Sequence, residues 1–599
     1  MKLQSPFEKY LDTGYVASRK ETHEIHDFLA DKLSLLSRLN DQITRLVEQR
    51  DALQVFVDRH KALVSPIHHI PAGVLSEIFF YCLPSDSLPI RRTDQAPLIL
   101  TGICKRWREV AISTPRLWCR LHVFIPPRSR IPTLSYAEFL NVRADGIELW
   151  LNRSSPLPIT LSVEMETDYD YMVECDDDMV SSSYEGLFLS FANADTVERW
   201  GNVRFVLAPI VAHELEDLIM DKELVESGVL VERLRTLSIE LKPLVRPNAT
   251  WWQWPENSES FAFDVPFTSF IMNRCPSLRS LSLVGWTKPD ELGEYDIAWE
   301  NLTHLELTQH ERAHSEPFDP FHIISVLDKA SSKLQSFILK GRSRPDVYDY
   351  KPNHTSITLP QLHTLHVHLK GSTATGRFKA IFNHIVAPSL LDLSVQSFAL
   401  TVDYTSGVCS LARFLSRSAC RLRQLDIRLN TAHYTRLSDK HITECLRTQP
   451  GLINLQVTSP VWWDCTGQTQ TLVNRLTLGS PESLCPNLQA IKFTRCIDYD
   501  EAYVDALVAL AHSRSSLPSQ NAGDELHVVL STTLRTFHAL FPLKALGPAG
   551  WSCEKASFNE LREAGIDFQL ILPDEPSPAD PPEIRERFVE EEEEDIHSL

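Results

Sequence analysis

From Leu234 onward, apolar residues fall into one recurring spacing, apolar-x-x-apolar-x-apolar. The triplets are Leu234/Leu237/Ile239, Leu278/Leu281/Leu283, Leu302/Leu305/Leu307, Leu334/Phe337/Leu339, Leu362/Leu365/Val367, Leu390/Leu393/Val395, Leu422/Leu425/Ile427, Leu452/Leu455/Val457 and Leu488/Ile491/Phe493. The step of two between the last two members is the period of a β-strand, where alternate side chains face opposite sides. The residues flanking those members therefore belong on the other face. They include His304, Glu306, Lys340, His366, His368, Asp426, Arg428 and Lys492, and of the 27 flanking positions only Val284, Ile338 and Ala490 are apolar. This predicts short parallel strands, buried on one face and wet on the other. Helical patterns precede several triplets, at 321–327, 378–385, 411–415 and 442–446. Helix then strand, repeated at irregular length, predicts an α/β fold: a leucine-rich-repeat-like solenoid with a parallel sheet over 234–572. Its polar face, expected to be concave, is the candidate surface for a protein target.

The N-terminal part has a different period. Residues 1–25 carry little pattern and read as a flexible N-terminus. Over 26–64 a stripe at Leu36, Leu39, Ile43, Leu46, Leu53 and Val57 alternates steps of three and four, broken only at Arg50 and His60. That is the a/d stripe of an amphipathic helix. It either zips to a second chain as a coiled coil or packs against its own neighbouring domain; its shortness and its charged position favour packing. Pro66 ends the helix. In 66–122, Pro71 opens a helix that carries Val74, Leu75, Ile78, Phe79 and Cys82 on one wide apolar face, and Pro84 stops it. A polar linker, 85–95, leads to a second helix at 97–111 with Leu98, Ile99, Ile103, Trp107 and Val110 on its buried side. A third is expected from the cap Thr114, with Pro115 in its first turn and Leu117 and Trp118 behind. Residues 123–233 read as a transition region, with strands at 147–163 and 203–207. Beyond the array, 558–564 reads as a helix stopped by Gly565, 568–572 as a last strand, and 573–599 as a disordered acidic tail.

The segment 66–122 resembles the F-box. The matching residues are Ile70-Pro71, Ile78-Phe79, Cys104-Lys105-Arg106-Trp107 and Leu117-Trp118, in that order. Together with the preceding heptad helix, and with Leu151, Leu157, Pro158, Ile159, Thr160 and Leu161 further on, they are similar to the F-box-like families of mushroom-forming fungi. Gly73 stands where that family usually has Glu, and the 83–97 connection is long for it. The resemblance implies a three-helix module that docks onto a Skp-type adaptor, itself seated on a cullin scaffold. The implied docking residues are Ile70, Pro71, Val74, Leu75, Ile78, Phe79 and Leu83. Ile103, Cys104, Trp107, Leu117 and Trp118 would form the module's core.

Composition narrows the partners. The 599 residues hold 59 Lys plus Arg against 79 Asp plus Glu, a net charge of −20. So acidic a chain, without a dense basic run, is not expected to bind nucleic acid. The twelve cysteines are scattered without a Cys-x-x-Cys pair, which suits reduced, buried thiols and a cytoplasmic or nuclear protein. No signal-peptide core opens the sequence and no run is long and apolar enough to cross a bilayer, so no membrane role is expected.

Chemistry-bearing motifs are missing: there is no phosphate loop, His-Glu-x-x-His or Gly-x-Ser-x-Gly. His68, His69, His366 and His368 lack a carboxylate or cysteine cluster at ligand spacing, so neither metal nor cofactor is expected. Glu174 and Asp176 to Asp178 read as a solvated loop, and Asp464-Cys465 lacks a placed histidine. The reading is a non-enzymatic interaction protein, a substrate-recognition adaptor of a Skp–cullin–F-box ubiquitin ligase. The alternatives are a repeat scaffold with no ligase role and, further off, an enzyme with a site in the groove.

Overall fold

The N-terminal helix begins where a capping box allows it. Ser18 Oγ accepts from Glu21 N–H at 3.5 Å, and the Glu21 carboxylate accepts from Ser18 N–H at 2.9 Å. From there α1 runs unbroken over Arg19–Leu63, 45 residues. It therefore starts before residue 26, and the preceding turn is held by Phe7 edge-on to Phe28 and by stacked Tyr10 and Tyr15. The expected a/d stripe is present but is not packed within its own unit: Leu36, Leu39, Ile43, Leu46 and Leu53 are 46–64% exposed. The chain forms two units, residues 1–78 and 79–599. Helix α2 (Ala72–Tyr81) runs across that division.

This structure is a computed structural model, and it describes residues 5–64, 66–131, 136–166, 177–219, 231–242, 274–285, 297–309, 320–342, 356–370, 377–396, 409–428, 439–458, 469–479, 483–494, 501–515, 534–540 and 565–571, with a few isolated positions between. Glu174 and Asp176, Asp464-Cys465 and the tail 573–599 lie outside them, whereas Asp177 and Asp178, expected in the same loop, open a helix.

Unit 2 opens with two short helices where one was expected. Helices α3 (Leu98–Ile103) and α4 (Lys105–Ile112) are separated by Cys104, whose φ of −158° and ψ of 166° are extended. Gly102, a weak helix former, sits just before the break. The expected third helix is a single turn, Pro115–Leu117. Thr114 does not cap it; its hydroxyl donates back to Val110 O at 2.6 Å. The chain then enters a sheet.

The strands, in chain order, are β1 (Arg120–Ile125), β2 (Ile159–Met165), β3 (Trp200–Leu207), β4 (Thr236–Leu241), β5 (Ser280–Val284), β6 (His304–Thr308), β7 (Ser336–Arg342), β8 (Ile357–Thr358), β9 (Thr364–Lys370), β10 (Ile385–Val386), β11 (Asp392–Gln396), β12 (Gln424–Arg428), β13 (Asn454–Thr458), β14 (Ala490–Thr494), β15 (Thr536–Leu540) and β16 (Asp567–Ile571). Strands β8 and β10 pair with each other. The other fourteen form one all-parallel sheet in strict chain order. All nine triplets occupy neighbouring rungs, and none of their 27 side chains is more than 4% exposed.

The array is longer than the triplets indicated. Residues 123–233, expected as a transition, supply β2, β3 and half of β1 to the same sheet. The expected strand at 147–163 is wrong in its first half: α5 covers Tyr136–Arg153, and the strand begins at Ile159. The run Ile147-Glu148-Leu149-Trp150-Leu151 mimics alternation, but the buried residues Phe139, Leu140, Ala144, Ile147, Trp150 and Leu151 follow helical spacing.

Further helices are α6 (Asp177–Ala192), α7 (Pro209–Ile219), α8 (Pro320–Lys329), α9 (Arg377–His384), α10 (Ser410–Ser418), α11 (Asp439–Arg447), α12 (Thr469–Leu476) and α13 (Glu501–Ser513). Each of α8 to α13 packs on the next, as a stacked array requires. Residues 561–563 are helical, and Gly565 stops them at a φ of 81°.

Five rungs are entered by a proline-containing tight turn. Leu278, Leu362, Leu390, Leu452 and Leu488 donate to the carbonyl three residues back, from Cys275, Leu359, Ala387, Gln449 and Cys485. In all five a proline holds the second turn position, where its fixed φ suits the geometry. Arg514 anchors a later turn: wholly buried, its guanidinium donates to the carbonyls of Leu476, Leu484 and Cys485.

A parallel sheet has two raw edges. At β1 the edge is covered by the polar linker. His122 N–H donates to Pro89 O at 2.8 Å, and the Arg120 guanidinium donates to Pro84 O and Ser87 O. The connection that is long for an F-box is thus the segment that caps this solenoid. It is tied down at Arg91, which donates to Arg143 O at 3.2 Å. Its guanidinium lies against the backbone at Gly146, where a Cβ would stand 1.8 Å from Nη2.

Candidate functional site

In-register parallel pairing turns each strand position into a row across the sheet. The central row of the exposed face runs His122, Ser162, Arg204, Ser238, Ser282, Glu306, Ile338, His366, Ser394, Asp426, Gln456, Lys492, His538 and Gln569. Ile338 is its one apolar member. The structure therefore brings seven of the eight predicted target-binding residues onto adjacent rows of one face in β6 to β12, with Lys492 four rungs past His366 in β14.

Two polar clusters organise this face. Near its start, Arg204 lies 3.6 Å from Glu164 and 3.1 Å from Glu240, and Lys242 lies 2.9 Å from Glu164. Burial disfavours the Glu164 carboxylate, but the hydrogen bond and charge of Lys242 and the charge of Arg204 outweigh it and hold its carboxyl below the usual range. At mid-sheet, the rings of His366 and His368 lie parallel, 6.3 Å apart. His366 Nε2 is 3.3 Å from the Asp392 carboxylate. His368 Nε2 meets Ser394 Oγ at 2.7 Å, and that hydroxyl donates to Asp426 at 2.8 Å, so the ring nitrogen is assigned as the donor. Arg428 Nε donates to the same carboxylate oxygen at 2.9 Å. Burial, then the nearby charge of Arg428, pushes the His368 imidazole down to about 4, so it is neutral at pH 7.

This cluster contains serine, histidine and aspartate but not in nucleophile order. The hydroxyl sits between imidazole and carboxylate and is 3% exposed, so no ring nitrogen accepts its proton. Among the described residues no three His, Cys, Asp or Glu side chains converge to hold a metal. The arrangement is an ordered polar network on one face of the sheet. Asp426, with a side chain 9% exposed, orients its neighbours rather than reaching out, while Arg428 and Lys340, at 49% and 44%, offer their charges to solvent. Glu306, 3.9 Å from Lys340, also accepts from Ser282 at 3.0 Å. His304 and Lys492 are exposed.

The second candidate surface is α2. Val74, Ile78 and Tyr81, spaced four and three apart, are 52%, 40% and 84% exposed and lie on one helix face. Pro71 is exposed, and Ile70 and Leu83 are half-buried. Leu75 and Phe79, expected among the docking residues, are fully buried and belong to the core. In unit 2, Phe79 stacks obliquely on half-buried Trp107 at 4.9 Å. Leu117 and Trp118 are core as expected; the Trp118 indole donates to Ala111 O, packs edge-on to Trp150 and lies under the Arg153 guanidinium. Cys104 is half-buried. Ile103 departs from expectation: at 56% exposure it is surface, because the break at Cys104 turns it outward at the end of α3.

Five rungs lie outside the nine triplets; β2, β3 and β16 overlap strands expected from the sequence while β1 and β15 do not, and three of the five carry the same spacing. Trp118/Leu121/Val123, Trp200/Val203/Phe205 and Leu534/Phe537/Ala539 match it once Trp is admitted first and Ala last. Of the eight described cysteines, five are buried. Among the described residues no helix is long and apolar enough to cross a membrane.

No known family model matches the chain, and no curated protein is similar to it. Among solved structures it is similar to the crystal structure of the Rad7 and Elc1 complex in yeast, at a TM-score of 0.33 and 13% identity over 90% of this chain and 98% of that one.

Proposed function

We propose that the chain is a substrate-recognition adaptor of a Skp–cullin–F-box type ubiquitin ligase. In this reading residues 66–122 are an F-box-like module whose α2 docks a Skp-type adaptor, which sits on a cullin. The sheet from β1 to β16 is the repeat body, and its polar face holds a protein target. The chain performs no bond chemistry; it raises the effective concentration of target beside the ligase.

The observation that carries the reading is the uncovered stripe Val74, Ile78 and Tyr81 within a segment that holds the F-box-like residues in order. Three side chains at helical spacing, 40–84% exposed, are the form a helix takes when it lies in a partner's groove. The fourteen-strand polar face supports the other half: it is wide, ordered and tipped with Arg428, Lys340 and Lys492, which suits a target segment carrying carboxylates.

The test is co-purification of the full chain with a recombinant Skp-type adaptor. A stoichiometric complex is expected, lost in Val74→Glu/Ile78→Glu with the melting temperature unchanged because both side chains are exposed. Failure of the wild-type chain to bind, or binding that survives both substitutions, overturns the docking half. Proximity labelling in cells with the ligase active and inactive then tests the target half.

A further inference from the structure

The longest element in the chain takes no part in either candidate surface. Within unit 1, α1 stands as 45 residues with nearly every side chain between residues 36 and 61 exposed. Its a/d stripe extends back from Leu36 through Leu29 to Ile25 with Lys32 between, and includes Arg50 and His60 further on. We propose that α1 is a self-association helix, and that two copies of the chain pair along it in antiparallel orientation.

Size favours a pair. The exposed stripe residues leave roughly 600 Å² per chain, about 1,200 Å² for two, which reaches the range of specific interfaces before flanking Leu33, Val47 and Phe56 are counted. The flanks favour a second copy over an unlike partner. The positions beside the central stripe are Asn40, Gln42, Gln49 and Gln54, uncharged amides that set no like charges against a copy of themselves. Selection of a different chain would ordinarily be written there as charge.

The three polar stripe positions decide the direction. In a parallel, in-register pair Lys32 meets Lys32, Arg50 meets Arg50 and His60 meets His60, three repulsive or polar layers in the seam. In an antiparallel pair centred between Thr44 and Arg45, each a position faces a d position of the other copy. Ile43 then packs on Leu46 and Leu36 on Leu53. Arg50 falls opposite Leu39, Lys32 opposite Val57 and His60 opposite Leu29, so no cation meets a cation. Each long stem covers an apolar partner while its charged head reaches water. The contact is isologous and closes at two chains, and the two helix dipoles oppose.

Sedimentation of the full chain, 68.2 kDa as a monomer, reads the stoichiometry, and lysine cross-linking reads the direction. Along one helix Lys32 and Lys61 are about 44 Å apart, but in the antiparallel pair they lie within about 6 Å along the axis. A linker shorter than the intrachain span is expected to join Lys32 to Lys61 in a species of twice the monomer mass. Ile43→Asp/Leu46→Asp is expected to return the monomer mass with helicity retained, since both residues are exposed in the single chain. A wild-type monomer at tens of micromolar, Lys32 linked only to Lys32, or a dimer that survives both aspartates each overturns the proposal. Because this pairing does not use α2 or the sheet face, adaptor binding is expected to persist in the double variant.

Discussion

Glu214 is the polar side chain in the least comfortable place. It sits on α7, 8% exposed, and among the described residues neither carboxylate oxygen has a hydrogen-bond partner. Burial, reinforced by the charges of Asp217 and Glu185, pushes its carboxyl up to about 9. The folded chain therefore keeps a proton here that the unfolded chain releases near pH 4.5. Between pH 4.5 and 9 the native state binds more protons than the unfolded one, so stability falls as pH rises, by up to about 1.4 kcal/mol per unit. Glu214→Gln keeps the shape and removes the charge. The variant is expected to match wild type near pH 4.5, to be more stable at pH 8, and to flatten the dependence; chemical denaturation across that range checks it. His368 shows the opposite sign. Pushed down to about 4, it costs stability as pH falls from 6.5 toward 4.

At the scale of the element, what could be read from the sequence depended on how strictly packing constrains each position. The nine triplets were legible because a parallel strand covered by helices tolerates only apolar side chains at its inward positions. The polar face followed by alternation alone, which is why seven of the eight target-binding candidates fell together. Three further rungs fell outside the triplet pattern because their first residue is Trp118 or Trp200, or their last is Ala539, where volume differs but register does not. The seven docking candidates, four of them on α2, could not be sorted by periodicity. A wide apolar face does not reveal which of its residues a tertiary neighbour will cover, and Leu75 and Phe79 were the covered ones. The edge cap was also illegible, since it works through the backbone carbonyls of Pro84, Ser87 and Pro89. It makes a prediction: Arg120→Ala releases two of those contacts and loosens the cover of β1. Stability is expected to drop by about 1 kcal/mol, and light scattering on warming is expected to rise earlier than in an equally destabilised variant elsewhere, because the exposed edge is free to pair with other chains.

At the scale of the whole molecule, unit 2 is a one-dimensional object. Each strand pairs only with the rungs before and after it, and each outer helix from α8 to α13 packs on its neighbours in order. In such an array stability is a sum of rung and interface terms, and damage spreads no further than the coupling between neighbours. This differs from a closed core, where one cavity weakens everything at once. Leu425 offers the test, being fully buried at the centre of β12 between Leu393 and Leu455. Leu425→Ala is expected to cost about 2–5 kcal/mol locally. Hydrogen exchange is expected to show protection falling in β11, β12 and β13 while β2 and β3 keep theirs. Uniform loss of protection from β1 to β16 would mean that the fourteen strands unfold as one cooperative block. A substitution at the polar mid-sheet cluster would then reach β1, which a stacked ladder does not allow.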